Sequence, residues 1–169
     1  MCRRGGGRRD RIMNRTTAGL VSWLVVCVGG GALVGMVTAG GDSAWYQALA
    51  KPTWTPPSWI FGPVWTLLYA AMALAAWRVW RRGGWTARAV PLSAFVVQLG
   101  LNFAWSFIFF SFHRIGWALV DILLLWLMIV VTIRLFAIVD RYAAWLLAPY
   151  LGWVMFAAAL NAEIYRLLQ

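Results

Sequence analysis

The sequence predicts an all-α membrane protein that folds as a bundle of five transmembrane helices. Hydrophobic residues make up 63% of its 169 residues and charged residues only 12%, whereas soluble domains average about 45–50% and about 25%. A soluble fold of this length could not bury so much apolar surface, which excludes a soluble enzyme and a nucleic-acid-binding module. A helical span needs roughly 20 residues, and apolar runs of that length cover residues 17–40, 59–80, 90–112, 116–137 and 143–168.

The first apolar run, residues 17–40, carries no charge. Its alternative interpretation is a signal peptide cleaved after Ala39, but the apolar stretch exceeds the 7–15 residues usual for such a segment. Gly31 and Gly35 have the small-xxx-small spacing that lets helices approach closely. We expect this spacing to serve packing within the bundle rather than dimerisation.

Residues 41–58 form the longest connection between spans, and they are rich in proline and tryptophan. Each proline fixes its own φ and restricts the residue before it, so we expect a stiff lid over one end of the bundle. A proline-rich ligand for a partner domain is the alternative, and the neighbouring tryptophans favour burial instead. The residues assigned to this lid are Trp45, Lys51, Pro52, Trp54, Pro56, Pro57 and Trp59.

The remaining connections are short. Gly83-Gly84 marks a turn after the second span, and the break at Ser111–Ile115 is so short that spans three and four should form an antiparallel hairpin. A turn at residues 140–142 precedes the fifth span. The predicted organisation is therefore an Arg-rich extension over residues 1–16 and one membrane domain over residues 17–169.

The net charge of +10 is distributed as in a membrane protein rather than as in a nucleic-acid-binding protein. With five spans, twelve of the fifteen basic residues lie on one side, and Lys51, Arg114 and Arg166 lie on the other. The positive-inside rule then predicts a cytoplasmic N-terminus and an external C-terminus, in the plasma or inner membrane. The N-terminal extension acts in this interpretation as a topology signal or as a contact with anionic lipid.

Thirteen tryptophans are the strongest anomaly of the sequence. Some mark span ends, where tryptophan collects at the membrane interface, but others recur with polar residues at helical spacing. Polar groups in a membrane face the bundle interior or a cavity, so we expect a tryptophan-walled cavity for a flat, largely apolar ligand. Packing with interhelical hydrogen bonds is the alternative. The stripes are Trp65, Tyr69, Met72 and Ala76; Gln98, Asn102 and Trp105; Trp117 and Asp121; and Tyr150, Trp153, Ala157 and Asn161.

Asp121 and His113 are two further candidates for a functional role. Asp121 lies inside a span, where an acid suggests function, but it could also face water or pair with Arg114. His113 is the only histidine, which gives neither a metal cluster nor a bis-histidine haem site. No motif for nucleophilic catalysis, phosphate binding or metal binding is present, so we predict no metal and no required cofactor.

A long series of residues resembles the signature of the tryptophan-rich sensory protein and translocator protein family (TspO/MBR), also known as the peripheral benzodiazepine receptor type. The resemblance covers about residues 20–168 and keeps its spacing across all five spans. Its first part comprises Trp45-Tyr46, Leu49, Lys51-Pro52, Trp54, Pro56-Pro57, Trp59, Gly62-Pro63, Trp65 and Tyr69. Its second part comprises Gln98-Leu99, Asn102, Trp105, Phe109-Phe110, Arg114, residues 116–121, Pro149-Tyr150-Leu151, Trp153, Leu160-Asn161 and Arg166.

The resemblance implies a five-helix bundle, commonly a homodimer, that binds porphyrins such as protoporphyrin IX or related tetrapyrroles. By position, Trp65 and Trp153 match two tryptophans that the family links to light-dependent porphyrin breakdown. Lys51 and the proline-rich segment match the loop that closes the cavity. The residues that match or join the ligand cavity are Trp65, Tyr69, Asn102, Trp105, Trp117, Asp121, Trp153, Ala157 and Asn161.

The function that the resemblance implies is that of a sensor or regulator of tetrapyrrole or stress responses. A light-dependent porphyrin-degrading enzyme, with Trp65 and Trp153 as catalytic residues, is the first alternative. A transporter of porphyrin or sterol is the second. Ala162 and the adjacent pair Tyr165-Arg166 depart from the family's cholesterol-recognition pattern, so a sterol ligand is not implied.

Overall fold

The computed structural model describes residues 16–38 and 44–169. This part of the chain is helical, with five helices long and apolar enough to cross a membrane, which confirms the predicted fold class. A short helix lies between the first two of them. The helices are α1 (Thr16–Thr38), α2 (Ala44–Ala48), α3 (Ser58–Trp80), α4 (Gly84–Ser111), α5 (Ile115–Val139) and α6 (Arg141–Leu167).

The third spanning helix, α4, begins at Gly84 rather than at residue 90. Two helical stretches meet at Arg88, whose φ of −129° and ψ of 28° are not helical, shortly before Pro91. The apolar run that predicted this span begins only after the charged Arg88, so the prediction left out the first stretch of α4. The preceding turn is made by Gly83 and Gly84, whose φ values of 150° and 64° are open to glycine at little cost.

The helices pack in an order that follows the short connections. The tight turn after α4 brings α5 back antiparallel to it, with His113 at a φ of 54° in the turn. α5 packs against α4 and α6, α3 packs against α4 and α6, and α1 lies against α3 and α4. The centre of the bundle holds fully buried side chains such as Met72, Phe95, Phe136 and Tyr150.

The buried side chain of Asp140 links α3 to the start of α6. Oδ1 of Asp140 accepts hydrogen bonds from the backbone N–H groups of Tyr142 (2.9 Å) and Ala143 (3.3 Å), and so caps α6. Its Oδ2 lies 3.0 Å from Nη2 of Arg78 and 3.0 Å from Nη2 of Arg82. Burial alone would raise the pKa of Asp140, but the hydrogen bonds of Arg78 and Ala143 and the two guanidinium charges hold it below its usual value.

Replacing this acid should destabilise the bundle. Asp140→Ala removes a helix cap and leaves Arg78 without its carboxylate, at a cost of about 2 kcal/mol; solvent screening of Arg82, which is 47% exposed, limits the effect. Thermal unfolding in detergent measures it. A matched control is Glu163→Ala, because the Glu163–Arg166 pair lies on the surface of one helix, where solvent screens it, so its loss should leave the unfolding temperature nearly unchanged.

The pH dependence of unfolding gives the same prediction a second readout. Because the pKa of Asp140 is lowered in the folded state, its stabilising effect is complete above its unfolded pKa of about 4. The effect is lost as pH falls through the lower folded value. The Asp140→Ala variant should therefore lose less stability on acidification than the wild type, and parallel pH profiles would contradict the assignment.

Candidate ligand-binding cavity

A cavity of about 550 Å³ lies between α1, the short helix α2, the start of α3 and the end of α4. This volume is within the range of about 300–1,000 Å³ that is typical of small-molecule sites. None of the described lining residues is an aspartate, a glutamate, a lysine, an arginine or a histidine. The lining residues are Val28, Gly31, Ala32, Val34, Gly35, Met36, Thr38, Tyr46, Ser58, Phe61, Gly62, Trp65, Thr66, Tyr69, Trp105, Ser106 and Phe110.

Two groups of stacked aromatic rings, one on α3 and one on α4, contribute to the wall of this cavity. Trp65 stacks on Tyr69, one helical turn further along α3, with ring centroids 5.4 Å apart and planes 29° from parallel. It also meets the edge of Tyr150 at 6.3 Å. On α4, Trp105 stacks on Phe109 at 5.3 Å. Offset stacking of this kind fixes the ring planes in space, so the wall is shaped before any ligand arrives.

Buried amides behind the wall hold two of its rings in place. The Tyr69 hydroxyl donates to Oδ1 of Asn102 at 2.6 Å, and the Trp105 indole N–H donates to Oδ1 of Asn161 at 3.1 Å. Nδ2 of Asn161 in turn donates to the carbonyl of Ile115 at 3.0 Å. Asn102 and Asn161 were expected to line the cavity. In the structure they stand one layer behind it, where they position Tyr69 and Trp105.

The structure does not bring Trp117 to the cavity, contrary to the sequence expectation. Its side chain is 69% exposed on the outer face of α5, where it borders an open groove with Tyr165. The buried stripe of α5 runs instead through Ala118 and Ile122. At about 100° per residue, both point at least about 100° away from Trp117 around the helix axis. Interfacial tryptophans commonly sit in this way at the membrane boundary.

Asp121 is buried, 9% exposed, but it does not line the cavity described above. Its Oδ2 has no hydrogen-bond partner among residues 16–38 and 44–169. Within the same residues it forms no ion pair with Arg114, and Arg114 itself lies in the turn before α5. The structure therefore supports neither structural explanation of Asp121, as an acid that faces water or as the partner of Arg114.

Trp153 and Ala157 lie near the cavity without lining it. Trp153 packs edge-on against Phe61, with centroids 5.9 Å apart, and Phe61 is part of the wall. Ala157 is buried on the same helix, 7% exposed. The two tryptophans that the sequence paired thus have different positions: Trp65 faces the cavity, and Trp153 lies one ring behind.

The sequence matches the TspO/MBR family over residues 23–167. The chain belongs to the TspO/MBR family. It is 44% identical to the translocator protein of Homo sapiens, over 80% of this chain and 82% of that protein. It is 43% identical to the tryptophan-rich protein TspO of Archaeoglobus fulgidus, over 77% and 84% of the two chains. It is 36% identical to the tryptophan-rich sensory protein of Cereibacter sphaeroides, over 92% and 94%.

The match to the TspO/MBR family includes every helix that borders the cavity. Together with the five candidate spans, membership makes this chain a multi-pass membrane protein. The shared region begins at residue 23, so the whole Arg-rich N-terminal extension, residues 1–16, lies outside it.

The lid of this TspO/MBR protein is fastened to the bundle by aromatic contacts. Tyr46 of α2 lines the cavity and packs on Phe110 at 5.6 Å. The neighbouring Trp45 stacks on His113 at 4.0 Å. Lys51 donates from Nζ to the Tyr46 carbonyl at 2.6 Å and to the Gln47 carbonyl at 3.0 Å, so it caps the end of α2.

The rest of the predicted lid divides into an anchored part and an exposed part. Trp54 packs against Phe156 of α6 at 5.7 Å, and the Thr55 hydroxyl donates to the Pro52 carbonyl at 2.7 Å within a turn. Pro56 and Pro57 lead into α3. Trp59 is 73% exposed and takes no part in the cavity, and residues 41–43 of the lid are outside the described residues.

Sequence reasoning missed the contribution of α1 to the cavity. Gly31 and Gly35 both line it, but their surroundings differ. A Cβ added to Gly31 would clash with Cε2 of Tyr69, whereas no described atom of another helix lies within 4 Å of a Cβ added to Gly35. Helix α1 therefore touches α3 at Gly31 and stands clear of it one turn later.

This difference predicts opposite effects of the same substitution. Gly31→Ala should destabilise the protein by about 2 kcal/mol, because the Tyr69 ring is held by Asn102 and has to move. Gly35→Ala should be neutral or stabilising by up to about 1 kcal/mol, since alanine is the better helix former. Thermal unfolding of both variants in one detergent measures the contrast, and equal effects would contradict the close contact at Gly31.

Proposed function

We propose that this TspO/MBR protein binds a porphyrin or a related tetrapyrrole in the cavity and acts as a sensor or regulator of tetrapyrrole or stress responses. The observation that carries the proposal is the stacked aromatic wall around Trp65 and Trp105. A tetrapyrrole presents a broad, flat, largely apolar face, and indole and phenol rings bury such a face at low conformational cost. The cavity volume of about 550 Å³ is compatible with a ligand of this class.

The charge of the wall favours a particular orientation of the ligand. Because the described lining residues carry no formal charge, an ionised carboxylate inside would be buried without a counter-ion, which is costly. The acidic side chains of a porphyrin would therefore point toward the lid end of the bundle, near the membrane surface. The apolar macrocycle would lie against Trp65 and Tyr69.

A sensor role needs a conformational difference between the free and the bound protein. The cavity separates α1 and the lid helix from α3 and the end of α4. A ligand that touches both sides joins them across this gap. Its differential contacts would shift the position of α1 and the lid, and a partner that recognises that face could detect the change. This mode of action requires no cofactor.

Charge supports the proposed orientation in the membrane. The end of the bundle opposite the lid carries Arg81 and Arg82 after α3, and Arg141 at the start of α6. By the positive-inside rule, this bias supports a cytoplasmic location for that end, in a plasma or inner membrane. The lid end of the bundle would then face outward.

A titration with protoporphyrin IX in the dark tests the proposal. Purified protein in detergent should show saturable quenching of tryptophan fluorescence with one site per chain. An open-chain carboxylate amphiphile of similar charge serves as a control, since it lacks the flat macrocycle and should quench little. Linear quenching without saturation would show that the cavity does not take this ligand class.

A light-dependent porphyrin-degrading enzyme is the second candidate, and the place of Trp65 on the cavity wall favours it. An indole in stacking contact with an excited porphyrin can donate an electron to it, and Trp153 lies one ring behind Phe61. The double variant Trp65→Phe, Trp153→Phe separates the candidates. Illumination of the wild-type complex in air should then form a porphyrin breakdown product with a new absorption band. If these indoles are electron donors, the double variant should no longer form this product but should still bind the porphyrin measurably in the dark.

A further inference from the structure

We propose that the cavity opens sideways to the membrane between α1 and α3, and that it takes its ligand from the lipid phase through this opening. The opening is framed by Gly35 on α1 and by Gly62 on α3. The inference deepens the proposed function, because it identifies the ligand as a planar amphiphile dissolved in the bilayer. In this proposal the ligand does not enter from water under the lid.

The two helices separate over a short distance. They are in contact where Gly31 meets Tyr69, with no room for a Cβ. One turn further along α1, at Gly35, and two turns back along α3, at Gly62, no described atom of another helix lies within 4 Å of an added Cβ. Residues 31 and 35, like residues 62 and 69, lie on nearly the same face of their helices. The facing sides of α1 and α3 are thus in contact at one level and apart at the next.

The residues around the opening belong to the cavity and to the outer surface at once. Met36 lines the cavity and is 73% exposed. Gly35, Gly62 and Thr66 also line the cavity and are exposed. A residue as exposed as Met36 that also lines the cavity lies at the rim of an opening. Since α1 and α3 are membrane-spanning helices, this rim faces lipid.

The end of the bundle is closed more firmly than its side. Tyr46 is 4% exposed and fills the space under the lid helix, against Phe109 at 6.2 Å and Phe110. Trp45 stacks on His113 at 4.0 Å, and Trp54 packs on Phe156. Access from water would have to break these ring contacts, which are worth about 0.5–1.5 kcal/mol each beyond their buried area. Access from lipid at Gly35 breaks none of them.

Chemical labelling in vesicles tests the opening without the proposed ligand. Ser106 lines the cavity from α4, and Ser106→Cys gives a nearly isosteric thiol. All variants also carry Cys2→Ser, and the parent with serine at position 106 gives the background, since Cys27 is fully buried. The probes are N-(1-pyrenyl)maleimide dissolved in the vesicle lipid and a charged, membrane-impermeant thiosulfonate added to the water.

The pyrenyl reagent should label the Ser106→Cys thiol faster than the impermeant reagent does, each rate being taken relative to a free thiol in the same phase. Adding Gly35→Leu should lower the pyrenyl labelling rate about tenfold, and Gly35→Trp should lower it further. Gly152→Leu is the matched control, because Gly152 is an exposed glycine of α6 with open space around it and lies outside the cavity lining. It should leave the rate unchanged.

Three results would overturn the side opening: labelling no faster than the parent, a pyrenyl rate unaffected by Gly35→Leu, or faster labelling by the impermeant reagent. If the impermeant reagent labels faster and Trp45→Ala increases its labelling rate further, the cavity is reached from water under the lid. The labelling needs no porphyrin, so an opening can be demonstrated even if the dark titration fails. The two proposals therefore fail separately.

Discussion

Trp65→Ala should abolish most of the affinity for protoporphyrin IX. The variant removes the ring that faces the cavity and that stacks on Tyr69. Loss of its buried apolar area and of ring stacking amounts to about 3 kcal/mol, which corresponds to an increase in Kd of about 100-fold. Fluorescence and absorption titrations in the dark measure the change. Trp65→Phe keeps a stacking ring and should lose about tenfold.

The matched control for this prediction is Trp145→Ala. Trp145 is 72% exposed near the start of α6, so it contributes the same chromophore without touching the cavity. Its removal lowers total fluorescence but should leave the Kd of the porphyrin within about twofold of the wild type. If both variants weaken binding equally, the site is not on the Trp65 wall.

Asn161→Leu should cause the largest loss of stability among single substitutions in the bundle. Asn161 is 1% exposed and joins three helices, since it accepts from Trp105 of α4 and donates to the Ile115 carbonyl at the start of α5. Leucine leaves the Trp105 indole N–H buried without an acceptor and removes the bond that ties α6 to the Ile115 carbonyl. A buried donor without a partner costs about 1–3 kcal/mol and a lost hydrogen bond about 1 kcal/mol, so a loss of about 3 kcal/mol is expected.

Thermal unfolding in detergent measures this loss, with Ser22→Ala as the control. The Ser22 hydroxyl donates only to the Ala18 carbonyl within its own helix and is exposed, so its removal should change stability by less than about 0.5 kcal/mol. A second readout is the accessibility of Trp105, whose indole is released when Asn161 is lost. If Asn161→Leu is as stable as the wild type, the bridge between the helices is not the structural element described here.

The sequence was sufficient to predict the five spans because their apolar runs are long and the charges between them are few. It also predicted that Asn102 and Asn161 face inward, since a polar amide in lipid is costly. Helical spacing could not distinguish a residue on the cavity wall from one in the layer behind it. Both amides and Trp153 belong to that second layer, where they position or back the rings that face the cavity.

Other features depend on contacts that a one-dimensional pattern does not contain. Trp117 and Asp121 are four residues apart, yet the edge of the buried stripe of α5 falls between them, so only Asp121 is buried. Helix α1 offered no stripe of aromatic and polar residues, because its share of the cavity is made by Gly31 and Gly35. The Asp140 network joins residues about 60 positions apart in the chain, and only the packing of α3 against α6 reveals it.

The position of the bound porphyrin is the central claim, and oxidation footprinting measures it most directly. Bound protoporphyrin IX is illuminated briefly in air, and mass spectrometry then identifies which of the thirteen tryptophans are oxidised by singlet oxygen formed at the ligand. We expect Trp65 and Trp105 to be oxidised first, well before the more exposed Trp117 and Trp145. Earliest oxidation at Trp117, or oxidation that simply follows exposure, would place the porphyrin on the outer surface and contradict the account.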